Sequence, residues 1–511
     1  MRRVGLVGLA VLVAAGIAYW GLGAYFDSRL RTALDQSLQA LPPGYAITYR
    51  TASYSPFGGQ AEIRGVAMRI TLATGVFDGS IDHLVLVRPN FAAAERWNDA
   101  AAHPTAWQMD QALPIADEIR LQGFHFQSAL QTLDLDSERL VGMRLYPAAL
   151  LHPGLPALKD IVGGLQAGQP PSDELMLKLA RLEAAFVLGV GWDRQEALGL
   201  KASGKTLPSV AIPDQPFSYD AARATSTTLD RGIWQDMAAE GLSFSGLSGG
   251  AAKIGRVEFS GIDVRQVATR VLDAAALAPV LFDGLRVKRV DYADLAIQPA
   301  AGAPVSLDDL SLSDLAIAQG EPVSAAIEVK GLRLDPNEMA QPSLTALAGQ
   351  LGLDHLTLGI GFAFERDVAT GQARVHDAFL KIDELGAVDL AASLVDDPLG
   401  ANPATVKLAK AVLHYRDASL ADRILRLMAR GGDPEQARNE LILIARQQGD
   451  ALGPDLAATT AAVVAFLQRP VSLTVDLAPA QPLPLATLAA ARALPPAQIA
   501  GLLGLTVQAN Q

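Results

Sequence analysis

Apolar positions along the chain follow three rhythms, and each predicts a different element. From Val4 to Phe26 the run VGLVGLAVLVAAGIAYWGLGAYF is apolar throughout and holds no charged residue. At helical rise its 23 residues exceed the ~30 Å hydrocarbon core of a bilayer, which predicts a transmembrane helix with Val4, Leu9, Val13, Ile17, Trp20 and Phe26 as anchor positions. Next, Leu30, Leu34, Leu38 and Leu41 form one apolar helical face over Asp27–Leu41, which Pro42-Pro43-Gly44 stops. The rhythm then drops to two. Tyr45–Arg50 alternates as a half-buried strand does, and Ser55–Gly59 is a turn. Gln60–Leu72 is a strand whose phase slips at Gly65, as a β-bulge would make it, and Ile81–Val87 is another.

Between 92 and 170 the pattern weakens. It supports strands at Glu118–Gln127 and Leu130–Leu135, then loops with room for a short helix over 146–171. Ser172 caps a helix over 172–181, and Leu182–Val190 with Ala197–Ala202 reads as a hairpin. Residues 240–400 repeat one phrase, a short alternating strand, a Gly or Asp, then another strand. It recurs at Val257–Val264, Val287–Ile297, Leu307–Ile317, Ile327–Leu334, Leu356–Glu365, Arg374–Ile382 and Val388–Leu394. A helix, Val264–Leu277 with Asp263 as N-cap, interrupts them. A strand at Thr405–Tyr415 leads to three helices: Leu420–Arg430 capped by Ser419, Pro434–Gln448 stopped by Gly449, and one from Pro454 to Gln468. Val471–Leu477 alternates as a strand. The fold class expected is α+β, predominantly antiparallel β, as a large twisted sheet, sandwich or groove, with an N-terminal transmembrane helix and a C-terminal helical unit. The segments expected are 1–26, 27–171, 172–400 and 401–511.

Charge gives the first run an orientation. Arg2 and Arg3 precede it, while Asp27 and Asp35 offset Arg29 and Arg31 behind it, so the positive-inside rule keeps the N-terminus in the cytoplasm. The bulk of the chain is then periplasmic, on a single inner-membrane span. The run is too long, and its end too bulky, for a cleaved signal peptide. The chain has no cysteine, which excludes lipoprotein acylation, disulfides, thiolate metal sites and Cys nucleophiles. A net charge of -12 argues against a nucleic-acid partner.

Motifs for chemistry fail in context. Gly199–Thr206 fits the P-loop pattern, but Pro208 and Pro213 forbid the helix that must follow it. Gly246–Gly250 fits G-x-S-x-G around Ser248, yet Ala251–Phe259 reads as turn and strand, so a Gly-rich hairpin turn is expected. Asp134, Asp136 and Glu138 alternate like a calcium loop, but Arg139 stands where that loop needs Gly; a solvated strand face is expected. The seven histidines lack metal-ligand spacing. No catalytic, cofactor-binding or metal residue is assigned, and the expected function is non-enzymatic.

The opening (membrane helix, amphipathic helix, Tyr45–Thr51, the Ser-Pro-Phe-Gly-Gly turn and Glu62-Ile63-Arg64-Gly65-Val66) resembles that of AsmA/TamB-like bacterial envelope proteins, and is similar to YdgA-like proteins. The resemblance covers about the first 90 residues, with a looser likeness in the β-rich middle. It implies an inner-membrane-anchored periplasmic protein whose sheet forms an apolar groove for phospholipid, and it brings no catalytic residues. The helical unit at 417–470 departs from that pattern, and the chain is short for bridging two membranes. Two functions stay open, with an exported hydrolase third. Either the sheet binds lipid or another apolar ligand in an open groove, or it closes on its own core as an envelope scaffold that binds partners. Ile327 and Leu358 mark the apolar groove or core positions in both. A periplasm-dependent reporter fused after residue 60 should be active, with the first run retained. Terminal sequencing that finds a mature N-terminus near residue 27 would overturn the anchor.

Overall fold

A computed structural model describes residues 45–55, 59–72, 75–90, 92–128, 131–156, 172–205, 216–247, 250–276, 282–335, 342–395, 406–487 and 494–511. The predicted membrane run, its anchor positions and the Asp27–Leu41 helix lie outside the described residues. Among the described residues no helix is long and apolar enough to cross a membrane. The chain is predominantly antiparallel β and divides into two units, one of residues up to 292 with 317–320, the other of 293–316 with 321–511.

The first unit is a meander. Strands β1 (Tyr45–Thr48) and β2 (Thr51–Ser55) both pair with β3 (Gln60–Leu72). From β3 onward each strand pairs antiparallel with the next: β4 (Gly75–Pro89), β5 (Leu113–Gln127), β6 (Gln131–Leu145), β7 (Val190–Lys205), β8 (Pro216–Asp230), β9 (Ile233–Leu247) and β10 (Gly250–Asp263). Helices follow even-numbered strands, which puts them at one end of an antiparallel meander. They are α1 (Ala92–Ala102), α2 (Pro147–Leu150), α3 (Asp173–Gly189) and α4 (Arg265–Asp273). One sheet face carries the core, including Ile63, Ile81, Leu84, Ile119, Leu121, Phe124, Leu140 and Trp192.

Strands this long hold one face only because their phase is reset midway. Arg64 pairs with His83 and Val66 with Ile81, leaving Gly65 and Asp82 skipped between them. Asp82 and Gly123 are skipped between β4 and β5, and Gly123 and Asp136 between β5 and β6. The line continues through Gly199, Ala222, Gly241 and Gly255. In β5, Ile119 and Leu121 face the core at odd positions and Phe124 at an even one, so the slip at Gly123 keeps both halves facing inward. Gly123 takes φ +63° and Gly199 +67°, the left-handed region where glycine carries no side-chain penalty. A Cβ on either would overlap a carboxylate lying across it, that of Asp82 or Asp136.

In the second unit β13 (Glu321–Leu334), β14 (Leu356–Asp367), β15 (Gln372–Ile382), β16 (Gly386–Val395), β17 (Lys407–Asp417), β18 (Ser472–Leu477) and β20 (Leu505–Ala509) pair antiparallel in that order. The short β19 (Leu483–Pro484) also pairs with β17. Strands β11 (Arg286–Gln298) and β12 (Val305–Ala318) carry residues of both units. Helices α5 (Pro342–Gln350), α6 (Leu420–Ala429), α7 (Pro434–Leu452), α8 (Ala457–Gln468) and α9 (Pro496–Leu503) complete the unit.

Several expectations need correction. Leu182–Val190 is not a hairpin arm. The helix that Ser172 caps through Leu175 N runs on to Gly189, because Ala184, Ala185 and Leu188 bury at helical spacing against Ala268 and Leu272 of α4. The helix after β10 is shorter than expected and capped at Val264; Asp263 instead accepts from Arg265 N at 3.1 Å. Gly449 does not stop α7, which continues to Leu452. It is a close approach, since a Cβ there would overlap Thr460 of α8. Ser419 does not cap α6 through its side chain; its hydroxyl donates to Glu384 O. Helices α1 and α5 lie in stretches whose pattern predicts none.

Gly123→Ala should destabilise by about 1–3 kcal/mol, combining left-handed strain with the Asp82 overlap. Gly501→Ala, which meets open space in α9, should be neutral or slightly stabilising. Urea melts that shift equally for both would show that the slip at Gly123 carries no structural weight.

Candidate functional site: an uncovered apolar sheet face

Alternation in the second unit builds one apolar face and one polar face. Ile327 pairs with Phe362, and Val329, Ile360, Leu380, Val388 and Tyr415 stand in one cross-strand row. Leu332, Leu358 and Ile382 form the next row, and Leu390, Leu413 and Val475 another. The opposite face presents Glu328, Lys381, Asp389, Lys410, His414, Arg416, Thr474 and Asp476. Phe379 also lies there, its ring over Gly361 where a Cβ would overlap it.

Among the described residues the apolar face is uncovered over much of its width. Ile327 is 45% exposed, Phe362 43% and Leu380 44%, whereas the matching apolar face of the first unit buries Leu121 and Phe124 to 1% and 2%. Ile360, Leu390 and Leu413 are exposed too, and Leu358 is half-buried. Cover exists at the margins. Phe466 of α8 meets the Tyr415 ring edge-on at 5.9 Å, and Ala348, Leu351, Leu353 and Leu385 bury one another beside Leu356 and Ile382. The two candidate positions thus share one face, Ile327 on β13 and Leu358 on β14.

The other candidates fall elsewhere in the chain. Gly199–Lys205 is the end of β7, inside a sheet, whereas Ser248 lies outside the described residues, between Leu247 of β9 and Gly250 of β10, which pair with each other. Among the described residues no group of three or more His, Asp or Glu could hold a metal ion. The solvated face expected at Asp134–Glu138 needs correction. The slip at Asp136 leaves His125 and Asp134 paired at 2.5 Å on the polar face and turns Glu138 inward, 6% exposed. Gln195 Nε2 donates to Glu138 Oε1 at 2.6 Å, and among the described residues Oε2 finds no partner. Burial pushes this carboxyl up to about 7, against the opposing Gln195 hydrogen bond. On the other face of the same strands Glu118, bonded by Arg120 and Arg139, is held down at about 2.

A family model described only as an uncharacterized protein matches residues 370–510, which hold β15–β20 and α6–α9. No curated protein and no solved structure matches the chain.

Glu138 makes stability depend on pH. Its folded value lies above the ordinary 4.5, so its proton favours folding, and that contribution is lost as pH rises from 4.5 through 7. Melting temperature should fall over that window by the equivalent of about 1–3 kcal/mol, and Glu138→Gln should remove most of the slope. Parallel profiles for the two proteins would contradict the burial argument.

Proposed function

We propose that the chain is a non-enzymatic protein of the bacterial cell envelope, anchored in the inner membrane by residues 4–26 with its bulk in the periplasm. In this reading the second unit holds a lipid acyl chain along its uncovered apolar face. One observation carries the proposal, namely the exposure of Ile327, Ile360, Phe362, Leu380, Leu390 and Leu413 on one face of a sheet whose other face is polar. Exposed apolar area this continuous exceeds the scattered hydrophobics normal for a protein surface. These rows contain no charged group, as contact with hydrocarbon requires. The resemblance of the opening to AsmA/TamB-like proteins points the same way. A scaffold with a closed core is the second reading, and the closed apolar face of the first unit favours it for that unit.

The two readings separate by cost. A charge at exposed Ile327 should cost less than about 1 kcal/mol of stability, and one at Leu121 several. Photo-crosslinking residues at 327 and 358 should give phospholipid adducts in cells, while Ile327→Asp melts close to wild type and Leu121→Asp collapses. Protein-only adducts, or an Ile327→Asp melt as low as that of Leu121→Asp, would sink the lipid reading.

A further inference from the structure

Helix α6 carries a second apolar surface, which runs outward from Leu420, itself packed with Ile382 of the sheet rows on the Ala348–Leu385 cluster. One side of the helix is committed to packing. Leu425 is buried there, and Asp422 accepts from the Arg438 guanidinium of α7 at 2.9 Å. Arg423 is also held, donating to Leu351 O and to Glu384 Oε2, each at 2.7 Å. Another side carries Leu420, Ile424, Leu427 and Met428, at i, i+4, i+7 and i+8, which is one continuous stripe. Ile424 is 40% exposed, Leu427 39% and Met428 49%. Past the stripe, Arg430 is the C-cap residue in the left-handed conformation, and Arg426 stands in the last turn of the helix. Both arginines are exposed, and among the described residues neither meets a carboxylate.

A stripe of flexible aliphatic side chains beside uncompensated guanidinium groups fits the headgroup layer of an anionic bilayer. Apolar side chains enter the acyl boundary there, while long arginines reach back to phosphate. A protein partner would more often be met by aromatic anchors, and the stripe has none. We infer that α6 docks on the surface of an anionic bilayer with Ile424, Leu427 and Met428 inserted and Arg430, assisted by Arg426, on lipid phosphates. This rests on the bilayer placement of the proposed function, but not on the sheet face holding lipid.

The chain has no cysteine, so a single introduced thiol reports one position. The full chain carrying Met428→Cys, labelled with nitrobenzoxadiazole, is reconstituted in vesicles of phosphatidylcholine with phosphatidylglycerol. Blue-shifted emission, quenched by spin-labelled lipid and shielded from aqueous iodide, is the expected result. A label at Glu440→Cys on α7 should stay in water. Arg430→Gln should weaken docking about five-fold, and Arg426→Gln by less. A 428 label quenched by iodide and not by lipid would overturn the inference. Equal shielding in detergent without lipid would overturn it too, since protein would then cover the stripe. Lipid quenching at 428 without phospholipid adducts at 327 and 358 would leave this inference standing and the sheet reading fallen.

Discussion

The structure depends on one constraint: strands this long keep an apolar side only if their alternation is reset in the middle. Two-residue periodicity alone would turn the far half of β5 outward, putting Phe124 in water. The skipped line Gly65, Asp82, Gly123, Asp136 and Gly199 performs the reset on successive strands of the first unit. At Gly123 and Gly199 glycine takes the left-handed backbone, and an aspartate from the neighbouring strand lies over it. The second unit repeats the device, with Gly331 at φ +62° under the Asp308 carboxylate and Asp377 at φ +51°.

The same device has different consequences in the two units. In the first it gathers Ile81, Leu84, Leu121 and Phe124 into a core closed to water, within which Glu138 is an isolated buried carboxyl. In the second it aligns Ile327, Phe362, Leu380 and Leu390 on a face that, among the described residues, helices cover at the margins alone. Hydrophobic alternation specifies which side chains share a face. What covers that face depends on elements elsewhere in the chain.

That division explains what the residues reveal by themselves. The slip at Gly65, the Ser172 cap and the repeated strand–Gly/Asp–strand phrase are legible because each is local chemistry. The continuation of α3 past residue 181 is not, because Ala184 and Ala185 become core only against α4, far along the chain. Gly449 reads as a stop for the same reason, its partner Thr460 lying on another helix. Alternation puts Glu138 with Asp134 on a solvated face, whereas the slip at Asp136 reverses its side; three alternating acids do not reveal a skipped residue. Ile327 and Leu358 show their shared apolar role in the sequence, but exposure is a property of the assembled unit.

The central claim, an apolar face open in the second unit and closed in the first, is most directly tested by hydroxyl-radical footprinting of the whole, delipidated chain. Phe362 and Leu380 should oxidise readily, with Phe124 and Leu121 protected, and added phospholipid should protect the first pair alone. Equal protection of all four without lipid would contradict the account.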